Sequence, residues 1–147
     1  LKSLLVPARR QSQEFKEREL VFDVAHNEEA MAALVAHLHA QAAKGKTYAV
    51  FAALADKNLA RLTALLAEAV DGACALALPG LDRARPPEDV WQALEDKEIA
   101  IPQREFTAEA VWDQLLAGSE PGDRLVVCGS FHVVASIMPL AGINAVP

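Results

Sequence analysis

The sequence is poor in cysteine, which bears on where the protein works. Cys74 and Cys128 are the only two cysteines in 147 residues, and both lie in apolar, strand-like runs. Cysteines in such runs usually act as small buried hydrophobic residues. We therefore expect two free thiols rather than a disulfide, and a reducing compartment, the cytoplasm, as the location.

Positive charge and long apolar runs are also scarce. Lys and Arg number 14 against 20 Asp and Glu, which gives a net charge of −6. Nucleic-acid recognition needs clustered Lys and Arg, so we expect no nucleic-acid partner, although a small anionic ligand would need only a few local cations. No apolar run approaches the ~18 residues of a membrane span, so no membrane partner is expected.

Three motifs of catalytic or metal sites are missing. Residues 45–47, Gly-Lys-Thr, resemble the end of a phosphate-binding P-loop, but Ala40 stands where its first glycine would, and the order of helix and strand is reversed. The Gly-x-Ser-x-Gly nucleophile elbow is absent around Ser130. His37 and His39 are two apart on a predicted helix and cannot share a face, so no metal site is predicted.

What the sequence does contain is an alternation of strands and helices, with apolar central strands. This pattern is typical of an α/β fold, and we predict a Rossmann-like three-layer domain whose mainly parallel sheet of about six strands has helices on both faces. The predicted strands lie at 11–15, 19–25, 48–54, 73–78, 98–102 and 125–128, and the predicted helices at 28–43, 58–70, 86–94, 108–117 and 130–138.

The domain is expected to occupy residues 11–147, with residues 1–10 as the end of a linker. The first residue is Leu1, and residues 1–10 contain no turn signal of their own. We therefore expect a fragment of a longer protein.

Polar residues follow four of the predicted strands, where a ligand of an α/β sheet would bind. Right-handed crossovers place these strand ends at one edge, and ligands of open α/β sheets bind at the carboxyl ends of strands. Asn27 and Ser130 are also residue types that favour the N-cap of a helix, so each could act as a cap or as a ligand contact. The residues concerned are Asp23, His26 and Asn27, then Asp56 and Lys57, then Asp82, Arg83 and Arg85, and finally Gly129, Ser130 and His132.

Four of these segments resemble one known family. They read Val-Phe-Asp-Val-Ala-His-Asn at 21–27, Ala-Asp-Lys at 55–57, Leu-Pro-Gly-Leu-Asp-Arg-Ala-Arg at 78–85 and Val-Val-Cys-Gly-Ser-Phe-His at 126–132. In order and spacing they resemble the C-terminal domain of bacterial folylpolyglutamate synthase, often bifunctional with dihydrofolate synthase, in the Mur-ligase superfamily. Residues 7–11, Pro-Ala-Arg-Arg-Gln, resemble that family's Pro-Gly-Arg-Phe-Gln.

Two positions depart from the family pattern. Glu28 stands where the family usually has Pro, and Ala55 stands where a His often precedes the Asp-Lys pair. Pro and Glu both suit the first turn of a helix, so the helix after Asn27 is expected to form.

The resemblance implies an enzyme, an ATP-dependent ligase that joins an acid to an amino acid. ATP would phosphorylate a carboxylate of dihydropteroate or of a folate's glutamate tail, and the amine of L-glutamate would attack the acyl phosphate. The P-loop, the Mg²⁺ ligands and the pterin pocket would belong to an N-terminal domain of the same protein. The partners implied are therefore ATP with Mg²⁺, L-glutamate, the folate or dihydropteroate substrate and that N-terminal P-loop domain, and the isolated chain is expected to be inactive.

The resemblance also implies roles for individual residues. Arg9 would contact phosphates, with Arg10 as an alternative, and Asp23 would accept hydrogen bonds from the ribose hydroxyls. Asn27 joins them in the cofactor-binding set. His26 and Ser130 form the catalytic set and would help to place glutamate or the phosphate end.

Two other functions fit the same residues. One is the C-terminal domain of a Mur ligase that acts on a cell-wall precursor. The other is a nucleotide-binding module without chemistry, such as a sensor domain. Upstream sequence would separate them, because a P-loop with a pterin-binding segment favours folate and the lack of any upstream domain favours the sensor.

Overall fold

A computed structural model describes residues 10–143, and in them five strands alternate with five α-helices. The predicted linker end lies outside the described residues except for Arg10, which begins the first strand. The strands are β1 (Arg10–Phe15), β2 (Arg18–Asp23), β3 (Thr47–Phe51), β4 (Gly72–Ala75) and β5 (Arg124–Cys128); the helices are α1 (Glu28–Ala40), α2 (Leu59–Ala67), α3 (Pro87–Asp96), α4 (Ala108–Gly118) and α5 (Phe131–Ile137), the last continued by a 3₁₀ turn (Met138–Ala141).

The five strands form one sheet in the order β1-β2-β5-β3-β4. β1 and β2, which cover the first two predicted strands, form an antiparallel hairpin whose turn residues Lys16 and Glu17 both have positive φ, as a type I′ turn requires. The pairs β2–β5, β5–β3 and β3–β4 are parallel. The predicted mainly parallel α/β fold is therefore confirmed.

The sheet has five strands where about six were predicted, because the segment 98–102 does not form a full strand. Its backbone bonds to both sides of Ala73, through the Ile99 carbonyl and the Ile101 N–H, and makes a single parallel bridge at Ala100. Beyond this bridge the Gln103 side chain replaces the backbone as the partner of Ala75: its Oε1 accepts the Ala75 N–H at 2.7 Å and its Nε2 donates to the Ala75 carbonyl at 2.9 Å, so the backbone pairing stops.

Helices cover both faces of the sheet, as the apolar central strands predicted. On one face α1, α2 and α3 pack on the strand residues Val21, Phe51 and Val126. On the other, α4 and α5 pack on Phe22 and Val127, the neighbours of those residues along the strands. Successive strand residues point to opposite faces, so each central strand contributes to both cores.

This arrangement creates a topological switch point between β2 and β5. The two strands are neighbours, with Asp23 opposite Cys128, yet β2 leads to α1 on one face and β5 leads to α5 on the other. In open α/β sheets a crevice forms outside the carboxyl ends of two such strands, and ligands bind there. The fold therefore directs attention to the residues that follow Asp23 and Cys128.

Gly129 makes the sharp exit from β5 possible. Its φ is +122°, and a Cβ at this position would overlap with the carbonyl oxygen of Ala52, just beyond β3. Only glycine combines this backbone conformation with such a close approach.

Both cysteines are free and buried, as predicted. Burial raises the pKa of the Cys74 thiol to about 12 and also raises the pKa of Cys128, so both thiols are protonated at neutral pH. Within residues 10–143, no helix has the length and apolar character needed to cross a membrane.

Candidate functional site

Asp23 is a buried carboxylate at the end of β2. It is 4% exposed, and each of its oxygens accepts one hydrogen bond: Oδ1 from the N–H of Ala25 at 2.8 Å and Oδ2 from Nε of Arg10 at 3.1 Å. A carboxylate oxygen has two lone pairs, so each oxygen can accept a further hydrogen bond. Within residues 10–143, Asp23 is thus held in place without being saturated.

Burial and partners act on the Asp23 carboxyl in opposite directions. Burial raises the pKa of Asp23 above its usual range, because removal from water disfavours the charged form. The N–H of Ala25, the guanidinium of Arg10 and the more distant His37 lower the pKa and offset part of that rise. The state of this carboxyl therefore depends on the groups around it.

His26 and Asn27 lie next to Asp23 and are exposed. The ring of His26 lies with Nδ1 3.2 Å from the carbonyl oxygen of Val24. Asn27 is the N-cap of α1, and its Oδ1 accepts the N–H of Ala30 at 2.8 Å. The cap interpretation of Asn27 is confirmed, and its side-chain NH₂ group can still donate to a ligand.

Ser130 lies two residues past the end of β5 and is 4% exposed. It is the N-cap of α5, and its Oγ accepts the N–H of His132 at 3.1 Å. A hydroxyl that accepts one hydrogen bond still has its own proton to donate. The cap interpretation holds here too, and it does not exclude contact with a ligand.

The residues after β3 and β4 come together in a separate groove. The backbone of residues 53–55 pairs with residues 83–85, and the Arg85 Nη2 donates to the Lys57 carbonyl oxygen at 2.7 Å. The groove, of about 630 Å³, is lined by Asp56, Lys57 and Arg85 among others. The Arg85 Nε is buried and has no partner within residues 10–143.

The four predicted strand ends thus share one edge, and three of them contribute residues to two separate concavities. A hollow of about 290 Å³ lies beside β2 and includes Arg10, Asp23 and His26. The groove at Lys57 and Arg85 is the second, and among the described residues Ser130 lines neither. The two concavities are separate because β5, with its exit toward the other face, lies between β2 and β3.

Two further predictions concern the phosphate-contacting arginine and the metal. Arg9 lies outside the described residues, whereas its alternative, Arg10, is paired with Asp23. No group of three or more His, Cys, Asp or Glu side chains within residues 10–143 is arranged to hold a metal ion.

Sequence reasoning missed the Arg10–Asp23 pair, although a signal was present. In a hairpin closed by Lys16 and Glu17, Phe15 faces Arg18, and counting back along both strands sets Arg10 opposite Asp23. The hairpin register therefore contained the pairing.

The family model for the Mur ligase glutamate ligase domain matches residues 9–131. The dihydrofolate synthase/folylpolyglutamate synthase of Escherichia coli (strain K12) is 34% identical over 119 residues, which are 81% of this chain and 27% of that protein. The predicted resemblance to the folylpolyglutamate synthase family is confirmed.

Solved structures of folylpolyglutamate synthases also match the fold of this chain. Escherichia coli FolC in complex with DHPP and ADP matches with a TM-score of 0.81 and 30% identity, over 92% of this chain and 31% of that one. A bifunctional folylpolyglutamate synthase/dihydrofolate synthase with Mn, AMPPNP and L-glutamate bound matches with a TM-score of 0.79 and 33% identity, over 94% and 32%. The chain spans about a third of the length of these relatives or less.

Proposed function

The chain belongs to the Mur ligase glutamate ligase domain family, and we propose that it is the C-terminal domain of an ATP-dependent amide ligase that adds L-glutamate to folate or dihydropteroate in the cytoplasm. The relatives above are dihydrofolate and folylpolyglutamate synthases, which favours folate over a cell-wall precursor. The observation that carries the proposal is Asp23, a buried and unsaturated carboxylate at the switch point of the sheet.

The reaction has two steps. A carboxylate oxygen of the folate or dihydropteroate attacks the γ-phosphorus of ATP, the bond to ADP breaks, and an acyl phosphate forms. The amine of L-glutamate then attacks the acyl carbon, phosphate leaves, and the amine loses a proton to give the amide. Because an acyl phosphate hydrolyses in water, a second domain that closes over the site after ATP binds protects it.

In this proposal the chain recognises the nucleotide. Asp23 accepts hydrogen bonds from two neighbouring ribose hydroxyls, one on the free lone pair of each oxygen, and the exposed NH₂ of Asn27 donates nearby. Arg9 contacts the phosphates. His26 and Ser130 help to place L-glutamate or the phosphate end, since both lie beyond strands that flank the switch point.

Mg²⁺ does not fit the described part of this chain as a resident ion. Within residues 10–143 no three His, Cys, Asp or Glu side chains come together to hold a metal ion, Asp23 is engaged by Arg10, and Asp56 pairs with Lys57. The proposal therefore leaves the metal and the phosphate-binding loop to an N-terminal domain of the same protein, and expects no ligase activity from this chain alone.

The test is a comparison of Asp23→Ala with Asp113→Ala, an exposed acid on α4, in the complete protein. Loss of charge-assisted hydrogen bonds worth roughly 1.5–3 kcal/mol should lower kcat/KM for ATP by about ten-fold or more in Asp23→Ala. Asp113→Ala should match wild type. Equal ATP kinetics for all three proteins would contradict the proposal, and a protein that binds ATP without turning over any glutamate acceptor would favour the sensor module.

A further inference from the structure

Arg10 contacts Asp23 across the hairpin, and this contact has a consequence for nucleotide recognition. The two residues are partners in the β1–β2 register, and Nε of Arg10 lies 3.1 Å from Oδ2 of Asp23. The Arg10 side chain is 35% exposed, whereas that of Asp23 is 6% exposed. The arginine thus covers one oxygen of a carboxylate that the rest of the fold buries.

The Asp23 carboxylate can accept hydrogen bonds from a ligand while Arg10 keeps its contact with it. Arg10 uses one lone pair of Oδ2, and the N–H of Ala25 uses one of Oδ1. No other described residue takes the second lone pair of either oxygen, and Arg10 and Asp23 both line the hollow of about 290 Å³ beside β2. A pair of neighbouring hydroxyls can therefore approach the carboxylate without displacement of Arg10.

We propose that Arg10 is a positioning residue for ribose recognition: its ion pair with Asp23 fixes the carboxylate in the orientation that accepts two neighbouring hydroxyls. This inference rests on the proposed contact of Asp23 with the nucleotide. It differs from a phosphate-binding role for Arg10, because the arginine acts on the ribose through Asp23.

Charge gives the pair a second effect. A buried carboxylate without a cation takes up a proton more readily, and a protonated Asp23 would lose the charge that strengthens its hydrogen bonds. The groups that face Asp23 are Arg10 from β1, His37 from α1, Cys128 from β5 and His26 in the hollow. His26, His37 and Cys128 are unchanged in an Arg10 variant, so any change in pH dependence between variants reports on Arg10.

The experiment compares ATP with 2′-deoxy-ATP as ligands of the complete protein, because the two differ by one ribose hydroxyl. Dissociation constants are measured by calorimetry for wild type, Asp23→Asn, Arg10→Ala and Arg10→Lys. Ser12→Ala is the matched control: it removes another β1–β2 side-chain hydrogen bond, from Ser12 Oγ to Glu19 Oε2 at 2.9 Å, away from Asp23.

The expected result is a loss of selectivity, not merely of affinity. Wild type and Ser12→Ala should prefer ATP by about ten-fold, as one charge-assisted hydrogen bond predicts, and Asp23→Asn should abolish the preference. Arg10→Ala should lose most of it, and Arg10→Lys should keep part. As the pH falls, the preference should disappear at a higher pH in Arg10→Ala than in wild type, because a carboxylate without its cation protonates earlier.

Each other outcome has a definite meaning. If Asp23→Asn abolishes the preference but Arg10→Ala keeps it at every pH, the positioning role is wrong and the nucleotide contact of Asp23 stands. If Arg10→Ala weakens both ligands equally, Arg10 acts on the phosphates and the inference is overturned. If Arg10→Ala binds ATP more tightly, Arg10 obstructs the site. If Asp23→Asn keeps the preference, the ribose contact is wrong and the inference falls with it.

Discussion

The parallel strands begin at one side of the sheet, the amino edge, and end at the opposite side, the carboxyl edge. Each of these edges buries one aspartate, and the two aspartates have different partners. At the amino edge, Asp123 is 7% exposed, and its two oxygens accept backbone N–H groups of Lys46 and Glu120, each at 2.9 Å. At the carboxyl edge, Asp23 accepts one backbone N–H and one arginine. Asp123 closes two loops of the fold, whereas Asp23 is held by one nearby backbone N–H and by an arginine that is itself partly exposed.

The arginines repeat this contrast. Arg124, at the amino edge, is 4% exposed and donates to the Thr47 hydroxyl and to the carbonyls of Leu38 and Gln41, which end α1. Arg10, at the carboxyl edge, has one side-chain partner among the described residues, and its side chain is 35% exposed. Asp123 and Arg124 at the amino edge thus spend their hydrogen bonds on the fold itself. Asp23 and Arg10 at the carboxyl edge can still form hydrogen bonds with a ligand.

The largest expected effect concerns the backbone of the carboxyl edge. Gly129→Ala would combine a strained positive φ with overlap against the Ala52 carbonyl, so we expect a loss of about 3 kcal/mol or more in the free energy of unfolding, measured in urea. Gly142→Ala is the control, because Gly142 also has positive φ but no atom of the described residues lies within 4 Å of an added Cβ. It should lose about 1 kcal/mol. Equal losses would show that the close approach at Gly129 is unimportant.

A smaller effect is expected from the side chains of the amino edge. Arg124→Met would leave the Leu38 and Gln41 carbonyls without their donor, and we expect a loss of about 2–4 kcal/mol in the free energy of unfolding. The control Arg61→Met removes an exposed ion pair with Glu28 and should change it by about 0.5 kcal/mol at most. ATP binding by the folded complete protein should be unchanged in both. Weakened ATP binding in Arg124→Met would erase the contrast between the edges.

Most of the fold was predictable because it depends on local patterns. The hairpin, the alternation of elements and the caps at Asn27, Thr107 and Ser130 follow from periodicity and cap chemistry within a few residues. Helix α1 ends at Ala40, before the predicted Ala43, and the last strand before α4 shrinks to one bridge at Ala100. The first difference falls at a helix end, where local patterns are weakest, and the second depends on the Gln103 side chain, which takes the backbone partners of Ala75.

The candidate site was predictable only in part. Strand order gives the position of Asp23 at the end of β2 and of Ser130 after β5. Hairpin register gives the Arg10–Asp23 pair. The hydrogen bonds of Arg124 could not be predicted in this way, because its partner Leu38 is 86 residues away along the chain. The split into two concavities also depends on the position of β5 between β2 and β3, which strand patterns alone do not give.

The contrast between the edges is tested most directly by the matched variants Asp23→Asn and Asp123→Asn. The ATP dissociation constant of the complete protein and the urea unfolding midpoint of the 147-residue chain are measured for each. We predict that Asp23→Asn weakens ATP binding by about ten-fold and leaves the midpoint near that of wild type, because the amide oxygen still accepts the Ala25 N–H and the partly exposed Arg10 can turn to water. Asp123→Asn should do the reverse, with a loss of about 2 kcal/mol in the free energy of unfolding, since an amide offers one acceptor oxygen for two N–H groups. If Asp23→Asn lowers the midpoint and leaves ATP binding unchanged, Asp23 is a structural residue like Asp123, and the account is wrong.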